Sequence, residues 1–290
     1  MARISYVGIA LVSSILYAVW ASLAFLAVRL GANVFAAGTI IFVSALFVSV
    51  VYVAVMREKL NLQGLKFGAI AGTLFFMGNV AFFYALGSQD MSSAYPFIPA
   101  SILIYFALSF RKFGRGGSKS SVVITGVAVS TSGLVIGEIT GAHLSALNGS
   151  SFATGMVILL FYGLAGYFVT VGSDHGVSSV AISTMALESI LFFLSAVFFH
   201  TGLHGGILPV LMSVAGGISI GIAFIIETVV FKELLATGSK QLAGVNLIYI
   251  VTNGDAIFVM LLAIVLNTYT VFSIIGLSLV YVGIVLLQKA

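Results

Sequence analysis

Three carboxylic acids lie inside long apolar stretches of the sequence, where a charged side chain is costly. Glu188 and Asp255 lie near the centres of their stretches, and Glu227 lies in the last third of another. An ionisable side chain at the centre of a bilayer costs about 2.5–3.5 kcal/mol on insertion scales, so it usually faces a cavity or a partner. No basic residue lies at comparable depth. We therefore expect a cavity that binds protons or attracts a cation. The alternatives are neutral carboxyls bonded to neighbouring helices and, for Glu227, a pairing with Lys232.

Asparagine and glycine accompany the acid at position 255. Asn246, Asn253 and Gly254 precede it within ten residues. On a helix Asn253 and Gly254 lie two turns after Asn246, and Asp255 lies about 100° round from Gly254. The Asn-Gly pair weakens the helix where a break would expose carbonyl groups to an ion. We expect this polar face to line the cavity, the alternative being hydrogen bonds between helices, which are worth about 0.6 kcal/mol each.

Aromatic residues form a second candidate group. Trp20 is the single tryptophan and lies deep in the first apolar stretch, whereas tryptophan usually anchors at membrane interfaces. Aromatic rings beside an acid can hold an ammonium group, and ordinary packing accounts for the same residues equally well. The candidates for the wall of a pocket are Tyr17, Trp20, Tyr84, Tyr95 and Tyr162.

Metal, thiol and catalytic chemistry have no motif in the sequence. There is no cysteine, which excludes disulfides and thiolate metal sites. His143, His200 and His204 are scattered, so no metal site is predicted. A phosphate-binding loop, an H-E-x-x-H helix and a nucleophile with its base are all missing, so we expect neither an enzyme nor a cofactor. The net charge of +4 comes without the basic and aromatic surface of a nucleic-acid site.

Long apolar stretches must position the candidate residues. The chain is 61% hydrophobic and 7% charged, against roughly 25% charged in soluble domains. Backbone groups in lipid must find their partners within the segment, and stretches of about 20 residues do so as helices. The sequence therefore predicts an all-α polytopic membrane protein with ten spans. They are Tyr6–Val28, Ala32–Met56, Gly64–Leu86, Ser92–Phe110, Val122–Ile139, Phe152–Val171, Val177–Phe199, Ile207–Phe231, Gln241–Leu266 and Val271–Leu287.

The basic residues predict the orientation of these spans. If the N-terminus is cytoplasmic, eleven of the twelve Lys and Arg residues fall inside or at the inner edge, and only Arg29 falls outside. This asymmetry matches the excess of basic residues in cytoplasmic loops. One missing or extra span would destroy the asymmetry. We expect an even number of spans and both termini in the cytoplasm.

Self-similarity divides the chain into two halves, residues 1–145 and 146–290. Three groups of matches keep their order at offsets of 145, 149 and 150 residues. Each half has five spans, and because five is odd, the second half must be upside-down relative to the first, as in many secondary transporters. The matches are Tyr17 and Gly31 with Tyr162 and Gly176, Gly68-xxx-Gly72-xx-Phe75 with Gly217-xxx-Gly221-xx-Phe224, and Gly126-x6-Gly133 with Gly276-x6-Gly283.

The same sequence offset pairs polar residues of the two halves. At the offset of 149 residues, Asn79 corresponds to Thr228, and Gly78 corresponds to Glu227. Polar groups at matching depth in both halves predict one shared central site, which adds Asn79 to the candidates.

Several segments carry a likeness to a known family. They are the segment ILYAVWAS at 15–22, the segment FYAL at 83–86 followed by Ser92-Ser93-Ala94 and Pro99, and the glycine-spaced spans that close each half. With these segments the whole chain resembles the drug/metabolite transporter superfamily, and its EamA-type members in particular. The resemblance implies ten helices around a central cavity, with alternating access for small polar metabolites such as amino acids.

We expect a secondary transporter in the cell membrane for a small polar metabolite, an amino acid or an amine. Glu188 and Asp255 would contact a cation or couple transport to protons, and Trp20 and the tyrosines would shape the pocket. The alternatives are a cation or metal-ion carrier or channel, and a membrane-embedded enzyme or assembly factor. The expected partners are the substrate, a coupling proton or cation and membrane lipid; a homodimer stays open.

Overall fold

The structure is a computed structural model that describes residues 2–87, 96–113, 120–137, 149–202, 206–236, 251, 254–265 and 271–288. Every regular element within these residues is an α-helix. The helices are α1 (Ala2–Arg29), α2 (Val34–Met56), α3 (Leu62–Gly87), α4 (Phe97–Ala100), α5 (Ile102–Phe113), α6 (Ser120–Gly137), α7 (Gly149–Ser173), α8 (Val177–Phe198), α9 (Ile207–Ala236), α10 (Asp255–Val265) and α11 (Val271–Gln288).

Six of the described helices are long and apolar enough to cross a membrane, namely α1, α2, α3, α7, α8 and α9. Shorter apolar helices cover Phe97–Leu108, Val122–Gly137 and Val271–Leu287. In helices of this composition the backbone groups are bonded within the segment, and the apolar side chains can face lipid. The chain is therefore a multi-pass helical membrane protein, as its composition predicts.

Two of the predicted spans differ in detail from a continuous helix. The fourth is divided into α4 and α5 at Ser101, whose N–H lies 3.1 Å from the carbonyl oxygens of both Phe97 and Ile98. Pro99, which cannot donate a backbone hydrogen bond, stands just before this tighter turn. The described part of the ninth span has Gly254 in a turn and a helix from Asp255 onwards. Residues 237–250 of that region lie outside the described residues.

Glycines bring α3 and α8 into close contact. A Cβ at Gly68 would lie 2.6 Å from the carbonyl oxygen of Val180, and one at Gly72 would lie 2.6 Å from that of Thr184. Both distances are too short for a real Cβ, so only glycine allows this approach. The residue numbers rise together along the two helices, so α3 and α8 run parallel.

The matching glycines of residues 146–290 allow an equally close contact between α9 and α2. A Cβ at Gly217 would meet the carbonyl oxygen of Ile41, and one at Gly221 would lie 3.0 Å from the Cα of Ala45. This helix pair is also parallel. The two Gly-xxx-Gly segments that match in sequence therefore make equivalent helix contacts.

The remaining packing partners also correspond when the two halves of the chain are exchanged. Helix α1 packs on α9 as α7 packs on α3, and α10 packs on α1 as α5 packs on α7. The pairs α2–α8 and α6–α11 each join equivalent helices of the two halves. Phe75 and Phe224, which match at the offset of 149 residues, meet edge to face with ring centroids 6.2 Å apart. The two residues that the sequence comparison pairs are therefore in contact in the structure.

A polar cluster joins the loop after α2 to α8 and α9. Glu58 Oε1 lies 2.7 Å from Lys232 Nζ, and Glu58 Oε2 accepts a 2.9 Å hydrogen bond from the N–H of Ser178 in the first turn of α8. The N–H of Asn61 donates to Ser179 Oγ at 2.7 Å. Partial burial raises the pKa of Glu58, but the hydrogen bonds from Lys232 and Ser178 outweigh it and hold the pKa below its ordinary value. Glu58 thus ties three helix ends together as a carboxylate.

Candidate functional site

A cavity lies where the two halves meet. Its volume, counted as the space open to the centre of a water molecule, is about 70 Å³. A single water needs about 10–15 Å³ on this measure, so the cavity has room for several waters or a small molecule. Seven helices contribute to its wall. The lining residues are Tyr17 and Trp20 from α1, Phe75 and Asn79 from α3, Ile98 from α4, Tyr162, Gly166 and Val169 from α7, Met185 and Glu188 from α8, Ile220, Phe224 and Glu227 from α9, and Asp255 from α10.

Most of the residues singled out in the sequence converge on this cavity. The three acids come from α8, α9 and α10, and one tyrosine comes from each of α1 and α7. They are far apart in the chain, so only the packing of the helices brings them together. The predicted site residues that line the cavity are Tyr17, Trp20, Asn79, Tyr162, Glu188, Glu227 and Asp255.

Tyr84 was predicted to wall the pocket, but it does not line this cavity. Its exposed fraction is 66%, whereas the preceding Phe83 is fully buried. Consecutive residues on a helix point about 100° apart, so α3 turns Phe83 towards the core and Tyr84 away from it. The predicted site residues Tyr95, Asn246 and Asn253 lie outside the described residues.

Two tyrosine hydroxyls donate hydrogen bonds at matching positions in the two halves. Tyr17 Oη donates to Glu227 Oε2 at 2.6 Å, and Tyr162 Oη donates to Asn79 Oδ1 at 2.6 Å. The tyrosines match at an offset of 145 residues, and Glu227 corresponds to Gly78, the neighbour of Asn79, at 149. Tyrosines that match in the sequence therefore bond a carboxyl group in one case and an amide in the other, at the same distance.

Three other polar atoms of the wall have no hydrogen-bond partner among the described residues. They are Glu188 Oε2, Asp255 Oδ1 and Trp20 Nε1. The exposed fractions of these residues are 2% for Glu188, 5% for Asp255 and 5% for Trp20. Buried polar groups almost always find partners in native proteins, so each exception requires an explanation. All three line the same cavity, so water or a bound molecule in it can supply their partners.

The charges of the wall have one sign. Of the fourteen described lining residues, three are acids. None of the fourteen is Lys, Arg or His. Lys232, on the same helix as Glu227, makes its salt bridge with Glu58. Within the described part of the chain, no three His, Asp or Glu side chains are grouped to hold one metal ion. The acids therefore surround the cavity from different helices without forming a compact ligand set.

Aromatic rings form much of the apolar wall. Phe75 packs edge to face against Tyr162 with centroids 5.8 Å apart, and Trp20 lies 5.5 Å from the ring of Phe82. The sequence reasoning did not single out any apolar wall residue other than the aromatic candidates. The sequence nevertheless held a signal, because each of these residues lies three, four or seven positions from a predicted site residue. The residues missed are Phe75, Ile98, Gly166, Val169, Met185, Ile220 and Phe224.

Fold and cavity together define a multi-pass helical membrane protein with an acidic, aromatic-walled central cavity. No protein-family model matches the sequence, and no curated protein is detectably similar to it. Fourteen chains of solved structures are similar in fold. One of them, described as the crystal structure of a protein, is 17% identical and matches with a TM-score of 0.63 over 98% of this chain and 96% of its own. At that identity the likeness supports the fold alone, and it extends over the whole chain.

Proposed function

We propose that the protein is a secondary transporter of the drug/metabolite transporter superfamily, similar to its EamA-type members. It carries a small polar metabolite, an amino acid or an amine, by alternating access between two inverted five-helix halves. The observation that carries the proposal is the position of the cavity. It lies where equivalent helices of the two halves meet, and both matching tyrosines line it. A site shared by two inverted repeats is accessible in turn from either side when one half rocks against the other.

The lining residues support a solute as the occupant. A selective site has an apolar wall with a few polar groups that fix orientation. Here the wall combines Phe75 and Phe224 with unpartnered polar atoms on Glu188, Asp255 and Trp20. A proton or a cation can accompany the solute at the acids.

The experiment that tests transport is counterflow in proteoliposomes that contain the purified protein. Substrate-dependent exchange identifies a carrier. Linear conductance would indicate instead a cation channel, the candidate that the three acids favour next. The absence of both would indicate a membrane-embedded enzyme or an assembly factor.

Asp255→Asn tests the cavity itself. We expect counterflow to fall roughly tenfold to a hundredfold while membrane insertion is retained, because a hydrogen bond to a charged group is worth about 1.5–3 kcal/mol. The matched control is Asp174→Asn, the same chemical change at an exposed residue outside the cavity, which should exchange at the parent rate. Full activity of Asp255→Asn would overturn the assignment of this carboxyl to the transport path.

A further inference from the structure

The unpartnered atoms of the cavity define what a ligand must supply. An ionised carboxylate only accepts hydrogen bonds, so a ligand that binds Glu188 and Asp255 in their ionised forms must supply donors to Oε2 and Oδ1. The indole N–H of Trp20 only donates, so it requires an acceptor. A ligand that satisfies the wall therefore has at least two N–H or O–H donors and one acceptor.

Trp20 cannot easily satisfy its N–H elsewhere, because its ring is fixed. The side chain is 95% buried, since its exposed fraction is 5%. Phe82 packs against the ring at a centroid distance of 5.5 Å. On another side, the Cδ1 atom, next to Nε1 in the ring, lies 3.6 Å from the position that a Cβ would take at Gly216. This is an ordinary van der Waals distance, so α9 borders the indole at this point.

The charge of the wall determines which acceptor fits. Glu188, Glu227 and Asp255 contribute three carboxyl groups, and the lining residues within the described part of the chain include no basic side chain. A ligand carboxylate would be placed among these acids without a cation to balance it, and like charges in apolar surroundings repel strongly. A neutral acceptor such as a hydroxyl, ether or amide oxygen avoids that repulsion. A net positive ligand is attracted by the acids and by the aromatic rings beside them.

We propose that the cavity binds a small organic monocation carrying a neutral hydrogen-bond acceptor, with Glu188 and Asp255 receiving its cationic N–H groups and Trp20 Nε1–H donating to its acceptor. Trp20 is thereby the residue that selects oxygen-bearing amines over plain alkylamines, and the acids select cations over zwitterions. This inference rests on the proposed transport function and narrows its substrate from amino acids and amines to the cationic class.

The test uses matched pairs of probes on the purified full-length protein, with binding measured by calorimetry. Ethanolamine is compared with n-propylamine, and 3-amino-1-propanol with n-butylamine; each pair differs by a hydroxyl in place of a methyl group. Glycine and β-alanine are the zwitterionic probes. We expect the oxygen-bearing member of a pair to bind about tenfold more tightly, since leaving the buried N–H unpaired loses about one hydrogen bond. This comparison on the parent protein does not depend on the folding of any variant.

Variants assign the preference to its residue. Trp20→Phe should remove the tenfold difference, so that the two members of a pair bind with similar affinity. Glu188→Gln should weaken both members, and the control Glu233→Gln, at an exposed acid of α9, should weaken neither. Equal binding within the pairs, an undiminished preference in Trp20→Phe, tighter binding of the zwitterions, or no binding of any probe would each overturn the inference.

Counterflow with the same probes separates the two proposals. If the pair preference is found but no probe exchanges, the ligand class stands and the transporter proposal is wrong. If zwitterions exchange and the cations neither bind nor exchange, the transporter stands and the ligand class is wrong.

Discussion

Two tyrosines that match in the sequence, Tyr17 and Tyr162, bond acceptors of different kinds at the cavity. Tyr17 bonds the carboxyl group of Glu227, whereas Tyr162 bonds the amide of Asn79. The two hydrogen bonds have the same length, and their acceptors differ in kind, a carboxyl oxygen in one and an amide oxygen in the other. A ligand with one cationic end therefore meets different partners at the two positions, although the helices that present them are equivalent.

Glu188 is the acid for which loss of the charge should be most informative. It lies eleven residues after the start of α8, so its carboxyl group cannot reach either membrane surface, and one oxygen has no partner among the described residues. We expect Glu188→Gln to reduce counterflow roughly tenfold to a hundredfold, as for loss of a hydrogen bond to a charged group. We also expect a flatter dependence of counterflow on pH, because glutamine does not titrate.

Glu233→Gln supplies the matched control for this measurement, since the same substitution is made at an exposed residue. It should retain the parent rate and pH profile. If Glu188→Gln also keeps both, Glu188 is structural, and coupling has to be sought at Asp255 or Glu227.

At the scale of the helices, the glycine contacts explain how parallel neighbours approach closely enough to enclose the cavity. At these glycines the backbone of α3 lies against α8, and the backbone of α9 lies against α2. In membranes such contacts replace the hydrophobic effect as the force that joins helices, because lipid is as apolar as the helix surface.

Gly68→Ala and Gly217→Ala should therefore destabilise the protein to a similar extent. Each new Cβ would collide with a backbone carbonyl, of Val180 and Ile41 respectively, and overpacking of this kind costs about 1–3 kcal/mol. Denaturant unfolding in detergent measures the effect. The control is Gly8→Ala, where nothing lies within 4 Å of the new Cβ; it should be neutral or slightly stabilising, because alanine favours the helix. Unchanged stability in both test variants would contradict the close approach.

The Glu58 cluster should make a small, pH-dependent contribution to stability. The folded-state pKa of Glu58 lies below the ordinary 4.5, so its contribution is fully present above pH 4.5 and is lost as the pH falls through the lower, folded-state pKa. Because the Lys232 side chain is 42% exposed, solvent screening limits the salt bridge to about 0.5 kcal/mol.

Glu58→Gln should thus lower the free energy of unfolding by about that amount at pH 7. The difference from the parent should vanish on acidification. Lys59→Gln, a change of charge at the exposed neighbouring residue, serves as control and should not reproduce this pH dependence. A difference that grows at low pH would show that the hydrogen bonds from Lys232 and Ser178 do not favour the ionised form.

At the scale of the whole molecule, the sequence predicts those site residues whose type is rare in a buried apolar stretch. An acid within an apolar stretch is costly anywhere except at a cavity or a partner, and on this basis Glu188, Glu227 and Asp255 were selected. Phe75 and Met185 could not be selected in the same way, because an apolar residue at a cavity and one facing lipid have the same composition signal. The partnership of Glu58 with Lys232 joins residues 174 positions apart, and helix packing alone determines it.

The topology is the prediction that concerns the entire chain. Both termini should be cytoplasmic, so the connection at Gly116 should lie inside and the turn at Thr201 outside. The absence of native cysteine allows single cysteines to be introduced at these positions without removing any. A membrane-impermeant maleimide applied to intact cells should label Thr201→Cys, and should label Gly116→Cys only after the membrane is opened.

Labelling of Gly116→Cys alone from outside would reverse the predicted orientation. Labelling of both positions from outside would place them on the same side of the membrane. The number of crossings between them would then be even. The ten-span arrangement predicts three crossings, so this result would contradict it.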